Sequence, residues 1–153
     1  FTGGNSPQGF DVAYGLSSNG MSLWVAVGKG TSQFLYSDNG QSWNYGSGVS
    51  FYSNGTANGI AYGVCSGGTK RWVTTGHASS GTSNLLYSDD GINWNYCKGA
   101  TFGEQGKAVA YGLSSNGMSL WVAGGFANDN KLLLYLLPQI YFCCTYTCLH
   151  AFL

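Results

Sequence analysis

VAYGLSSNGMSLWVA runs from Val12 to Ala26 and again, unchanged, from Val109 to Ala123. Between the two lies a third, more diverged copy, IAYGVCSGGTKRWVT, from Ile60 to Thr74. Trp24, Trp72 and Trp121 therefore mark successive units with a period of about 50 residues, the range of propellers and other repeat arrays. Cutting before Phe51 and Phe102 divides the chain into units 1–50, 51–101 and 102–135, each opening on a Gly- and Asn-rich stretch, with 136–153 left as a tail.

Within the first unit, four short apolar runs separated by turn residues read as strands over about residues 10–15, 22–28, 33–37 and 42–45. Asn19-Gly20 and Asp38-Asn39-Gly40 supply residues that tolerate a positive φ at two of the turns. The second unit repeats the scheme over about 57–63, 71–76, 84–88 and 93–96. Alternation along Leu23 to Val27 places Leu23, Val25 and Val27 on one side and Trp24 and Ala26 on the other, apolar on both, as a sheet stacked between sheets requires. No segment carries the i, i+3, i+4, i+7 pattern of an amphipathic helix, which excludes helical repeats. The expected fold is all-β: a β-propeller-like array of about three four-stranded antiparallel blades, the third incomplete or aberrant.

Composition agrees and narrows function. The chain is 44% hydrophobic and 16% aromatic, with 25 glycines and 2 prolines, a folded β-type composition. Charged residues make up 8% and the net charge is zero, so no electrostatic footprint for nucleic acid or an anionic membrane is present. Five cysteines form an odd set without a CxxC pair, which argues against a disulfide framework. Phe1 follows no initiator Met and no leader, so the natural N-terminus is expected upstream. Asn54-Gly55-Thr56 is a glycosylation sequon that matters only if the chain is secreted; compartment is not readable, with an extracellular or particle surface favoured.

The third turns read YSDNGQSW, Tyr36 to Trp43, and YSDDGINW, Tyr87 to Trp94. They resemble Asp boxes, the SxDxGxxW pattern of sialidase-type propellers and their non-enzymatic relatives. Asp38, Gly40 and Trp43, with Asp89, Gly91 and Trp94, fit that pattern, while Tyr36 and Tyr87 stand where the first Ser is usual. The resemblance implies a structural role: an acidic side chain accepting turn amides, a left-handed Gly, and a Trp returning into the blade. It also places these turns on the propeller face away from any catalytic centre. The wider unit is similar to repeat proteins predicted from large DNA viruses and marine microbes. No acidic residue follows Asp89 and Asp90 at the bidentate position of a calcium loop.

Chemistry is sparse. A sialidase needs three arginines, a Tyr–Glu pair and an acid/base Asp; this chain has Arg71 and Glu104 alone of those two residue types. Arg71 reads as a solvated strand end, and Asp11 with Glu104 as ordinary surface acids rather than a glycosidase pair. His77 and His150 have no neighbouring nucleophile, and Cys143, Cys144, Cys148 and His150 lack zinc-ligand spacing, so no catalytic residue, cofactor or metal is assigned. Any ligand is expected on the face opposite the Asp-box turns, where Lys29, Phe51, Tyr52, His77 and Phe102 are the candidates and the aromatic rings suit sugars. The competing role for the phenylalanines is packing between blades.

After Tyr135 the repeat pattern stops, and from Leu132 to Leu153 there is no Asp, Glu, Lys or Arg. A frame slip, a divergent end supplying the missing strand, or a membrane span each accounts for it; Pro138 and Gln139 argue against the span. Three blades do not close a ring, since propellers use about four to eight. Further blades or a second copy are therefore expected to cover the open blade faces. The functional expectation is a non-catalytic repeat scaffold or recognition surface for a glycan or protein. The alternatives are a fragment of a sialidase-like enzyme and a structural component of a particle or surface.

Overall fold

A computed structural model describes residues 6–51, 55–78, 83–98, 102, 104–126, 132–138 and 149–152. Its regular structure is all β. The first sheet runs β1 (Gln8–Leu16), β2 (Ser22–Lys29), β3 (Phe34–Ser37), β4 (Asn44–Tyr45), each antiparallel to the next. Next comes β5 (Ser47–Gly48), followed by the four strands of the second unit: β6 (Ala57–Val64), β7 (Lys70–Gly76), β8 (Leu85–Ser88) and β9 (Asn93–Tyr96). These make the second sheet, whose order is β5-β9-β8-β7-β6, with β5 added parallel to β9. The third contains β10 (Gln105–Leu113), β11 (Ser119–Phe126), β12 (Leu132–Pro138) and β13 (Leu149–Phe152) in sequence order.

The third sheet follows one of the alternatives left open for the tail, a divergent end that supplies the missing strand. The tail supplies a fourth strand, with Leu133 opposite Phe152 and Leu136 opposite Leu149. A strand needs alternating backbone pairing more than it needs the turn motif, and that run has no proline between Leu149 and Phe152 to block it.

Each unit folds by the same local rules. The β1–β2 turn is closed by Ser17 N to Met21 O (2.8 Å), its copy by Ser114 N to Met118 O (2.8 Å), and the diverged one by Cys65 N to Thr69 O (2.8 Å). The first strands of the three units, β1, β6 and β10, lie side by side. Each carries a bulge at the same place, between Gly9 and Asp11, Ala57 and Gly59, and Gly106 and Ala108.

Sheets stack through two unlike faces. A smooth face of the first sheet (Leu23, Val25, Val27, Phe34, with Ala13 and Tyr36) receives a bulky face of the second (Ile60, Trp72, Leu86, Trp94, with Tyr62). The second sheet repeats this toward the third, offering Val73, Leu85, Ala61 and Tyr87 to Trp121, Ala123, Val109 and Tyr111. Tyrosine and glycine interlock at the centre of both joints. A Cβ on Gly15 would lie 2.2 Å from the Tyr62 ring, and one on Gly63 2.2 Å from the Tyr111 ring. Only glycine leaves room for that approach.

Trp94 is 1% exposed and stacks on Phe34 at 4.5 Å between centroids. Trp43, expected to return into its own blade as core, is instead 38% exposed. The reason is positional: this residue packs on the preceding sheet, and the described residues hold no sheet before the first.

Candidate functional site

The two ends of the array differ in kind. At one end lie the β1–β2 type turns and the β3–β4 type turns, joined across sheets by Ser18 N to Asp89 O (2.9 Å). Gly40 and Gly91 take the positive φ expected of them, 73° and 76°. Their amides are held by Ser37 Oγ (2.8 Å) and Ser88 Oγ (2.9 Å). The acceptor of the following amides is one residue later than the Asp-box reading placed it. Asn39 Oδ1 accepts from Gln41 N and Ser42 N (both 2.9 Å), and Asp90 Oδ1 from Ile92 N (2.8 Å) and Asn93 N (2.7 Å).

Asp38 is exposed, and Asp89 turns away to bind Arg71 through both oxygens, at 2.6 and 2.9 Å. That pairing overturns the solvated reading of Arg71, which is 6% exposed and lies over the Tyr87 ring at 4.4 Å. The first unit has Leu23 at the matching position, so Asp38 has no cation to turn toward. At Asp90, burial opposes ionisation, but hydrogen bonds from the Asn93 backbone and side chain, the Ile92 amide and Ser88 prevail and hold its carboxyl below the usual aspartate value. The arrangement is a hairpin lock, its acceptors taken up by the turns' own amides and by Arg71.

The opposite end is where the units stop resembling one another. Lys29, His77 and Phe126 occupy the same position, the last or next residue of the second strand in each unit, directly after Gly28, Gly76 and Gly125. Lys29 is half-buried, His77 exposed, and Phe126 40% exposed. The second joint gathers the larger group. His77 bridges Gln105 and donates its amide to Thr56 O (2.8 Å). Gln105 Nε2 reaches Thr56 Oγ1 at 3.4 Å and lies opposite Phe126 in the ladder. Glu104 donates its amide to Phe126 O (3.3 Å), and Lys107 Nζ sits 5.7 Å above the Phe126 ring. An exposed ring, a cation, a carboxylate, an imidazole and an amide thus share one rim.

Buried amide side chains hold that rim in place. Asn84 Nδ2 donates to Gly76 O and Glu104 O (both 3.2 Å), and Asn84 Oδ1 accepts from Phe102 N (2.9 Å). Gln33 makes the same clamp at the first joint, donating to Phe51 O and Gly55 O (both 3.2 Å) and accepting from Phe51 N (2.9 Å). The clamps explain why Phe51 and Phe102, weighed as sugar-stacking rings, are each 1% exposed. They are drawn between sheets, where a Cβ on Gly76 would lie 2.5 Å from the Phe51 ring and one on Gly125 2.7 Å from that of Phe102. Neither offers a free face to a ligand. Tyr52 lies outside the described residues, as do Cys143, Cys144 and Cys148.

The sequence carried an unread signal for these clamps. Gln33-Phe-Leu-Tyr-Ser and Asn84-Leu-Leu-Tyr-Ser place a primary amide at the same repeat position, just ahead of the third strand. The bulge residues Phe10, Asn58 and Lys107 were equally visible as one varied position inside an otherwise regular segment; Asn58 Nδ2 reaches across to Gly106 O at 2.7 Å.

Neither a protein-family model nor any curated protein sequence matches the chain. Among solved structures it is similar to a fucose lectin from Kordia zhangzhouensis, solved in complex with methyl-fucoside. The TM-score is 0.59 at 15% identity, over 92% of this chain and 96% of the lectin. It is also similar to a protein of unknown function from Dyadobacter fermentans DSM 18053, with a TM-score of 0.52 at 20% identity, over 92% of this chain and 40% of that one. At such identities the likeness establishes a shared all-β fold and nothing finer.

Proposed function

We propose that the chain is a non-catalytic recognition module for a neutral glycan, bound at the end that carries Lys29, His77, Glu104, Gln105, Lys107 and Phe126. The observation that carries this reading is the contrast between ends. The scaffold around Val12 to Ala26 repeats verbatim at Val109 to Ala123, whereas the matched rim position changes from Lys29 to His77 to Phe126. One backbone presenting different side chains at equivalent points is how a repeat array builds a reading surface. The rim combines an exposed ring for the apolar face of a sugar with donors and acceptors for its hydroxyls. The likeness to a fucose lectin supports a carbohydrate as the ligand class.

On this reading the three sheets are successive blades of a propeller-like array, and the Asp-box-like turns brace the end away from the ligand. Binding to immobilised neutral glycans, fucosides included, followed by calorimetry with the best of them, tests the proposal. The expected result is saturable binding weakened about tenfold or more by Phe126→Ala or His77→Ala, without loss of the β-type circular dichroism. Absence of binding across the glycans would overturn it. Hydrolysis of fluorogenic glycosides would overturn the non-catalytic part and favour the sialidase-like alternative.

A further inference from the structure

Among the described residues, nothing packs on the bulky face of the first sheet. Val12 is 51% exposed, Tyr14 51%, Leu16 37%, Trp24 40% and Trp43 38%. At the other end of the array, again among the described residues, the third sheet leaves its smooth face bare: Ala110 and Gly112 are exposed, and nothing lies within 4 Å of where a Cβ on Gly112 would stand.

Both bare faces are copies of faces already engaged inside the molecule. Ala110, Gly112, Leu120 and Val122 repeat Ala13, Gly15, Leu23 and Val25, which receive the bulky face of the second sheet. Val12, Tyr14 and Trp24 repeat Val109, Tyr111 and Trp121, which sit on the smooth face of the second sheet. The knob is already in its docked shape. Tyr14 and Trp24 are 4.9 Å apart at 50°, against 4.8 Å and 54° for Tyr62 and Trp72, and 4.7 Å and 56° for Tyr111 and Trp121. Preorganisation of this kind removes much of the ordering cost of association.

We infer that the chain associates head to tail with a second copy of itself, the Tyr14 and Trp24 face of one seated on the Gly112 and Val122 face of the other. The internal joint supplies the details. Tyr111 fills the Gly63 socket and donates its hydroxyl to Val64 O at 2.8 Å. By the same register Tyr14 fills the partner's Gly112 socket and donates to the carbonyl of Leu113. Such a contact is heterologous, so it propagates unless rotation closes it. Two chains bring together six sheets, inside the range of about four to eight that closed propellers use. The association needs no ligand and stands apart from the glycan reading.

The test is the mass of the chain in solution by sedimentation and native mass spectrometry, across about 1 to 100 µM. Twice the 16.2 kDa chain mass is expected. Gly112→Leu fills a socket that is open in the single chain and blocked in the pair, so it should leave circular dichroism unchanged and weaken association by about 100-fold or more. Ala110→Glu, at an exposed position on the same face, is the second variant and should do likewise. A species of 16.2 kDa at every concentration overturns the inference and leaves the faces to some other occupant, such as further repeats of a longer chain. Association that neither variant weakens overturns it as well.

Discussion

Trp24 and Trp72 hold the same place in the first and second sheets, each against a tyrosine on the neighbouring strand, yet one is 40% exposed and the other 0%. Trp43 and Trp94 repeat the contrast at 38% and 1%. Local structure is the same in both sheets, so strand formation does not depend on burying these rings. What differs is the neighbour. The second sheet lays its bulky face on the first, and among the described residues no sheet lies before the first. Burial in a repeat array belongs to the joint between units, not to the unit itself.

That contrast can be broken most forcefully at the tryptophans. Trp72→Ala should cost about 3–5 kcal/mol in denaturant unfolding, because it empties the centre of the first joint. Trp24→Ala should cost about 1–2 kcal/mol in the monomeric Ala110→Glu background. Equal losses would mean that the first sheet's face is covered after all. Glycine sharpens the same point from the opposite side. Gly63→Leu drives a side chain into the Tyr111 ring and should cost about 3 kcal/mol, whereas Gly112→Leu should change single-chain stability by under about 0.5 kcal/mol.

Asn84→Ala leaves Phe102 N and two carbonyls without their clamp and should cost about 1–3 kcal/mol. It should also weaken glycan binding, since Glu104 loses its anchor, whereas the matching Gln33→Ala should destabilise without that second effect. The smallest change is at the turns, where Asn39 and Asp90 do the same job and only Asp90 titrates. Because the folded state holds the Asp90 carboxyl below its usual value, its contribution is present above about pH 4 and is lost as pH falls through the folded value. Asp90→Asn should therefore change the neutral melting temperature little and flatten its decline in acid. An unaltered acid profile would mean that other carboxylates govern it.

Strand positions were legible because apolar alternation and turn residues act locally. The segments read at 22–28, 33–37 and 93–96 lie within a residue of β2, β3 and β9. The turns were legible as glycine turns but not in register: Asn39 and Asp90, not Asp38 and Asp89, accept the following amides in both units, with or without an arginine beside them. Phe51 and Phe102 were ambiguous for the same reason. A ring beside a loop is a ligand platform or a joint filler according to whether an amide from another strand, Gln33 or Asn84, pulls it inward. The tail after Tyr135 stayed open among several readings because the lost motif governs a turn, whereas pairing to β12 asks only for an extended backbone.

What the sequence determined by itself was the repeat, its period, the strand-rich unit and the two apolar faces, all consequences of side-chain spacing along one strand or turn. Tertiary structure alone decided which aromatic rings are core, which acid holds a turn, which arginine is buried, and which glycine is a filled socket or an empty one. Those outcomes depend on the element packed alongside, and identical residues at Val12 to Ala26 and Val109 to Ala123 have different neighbours.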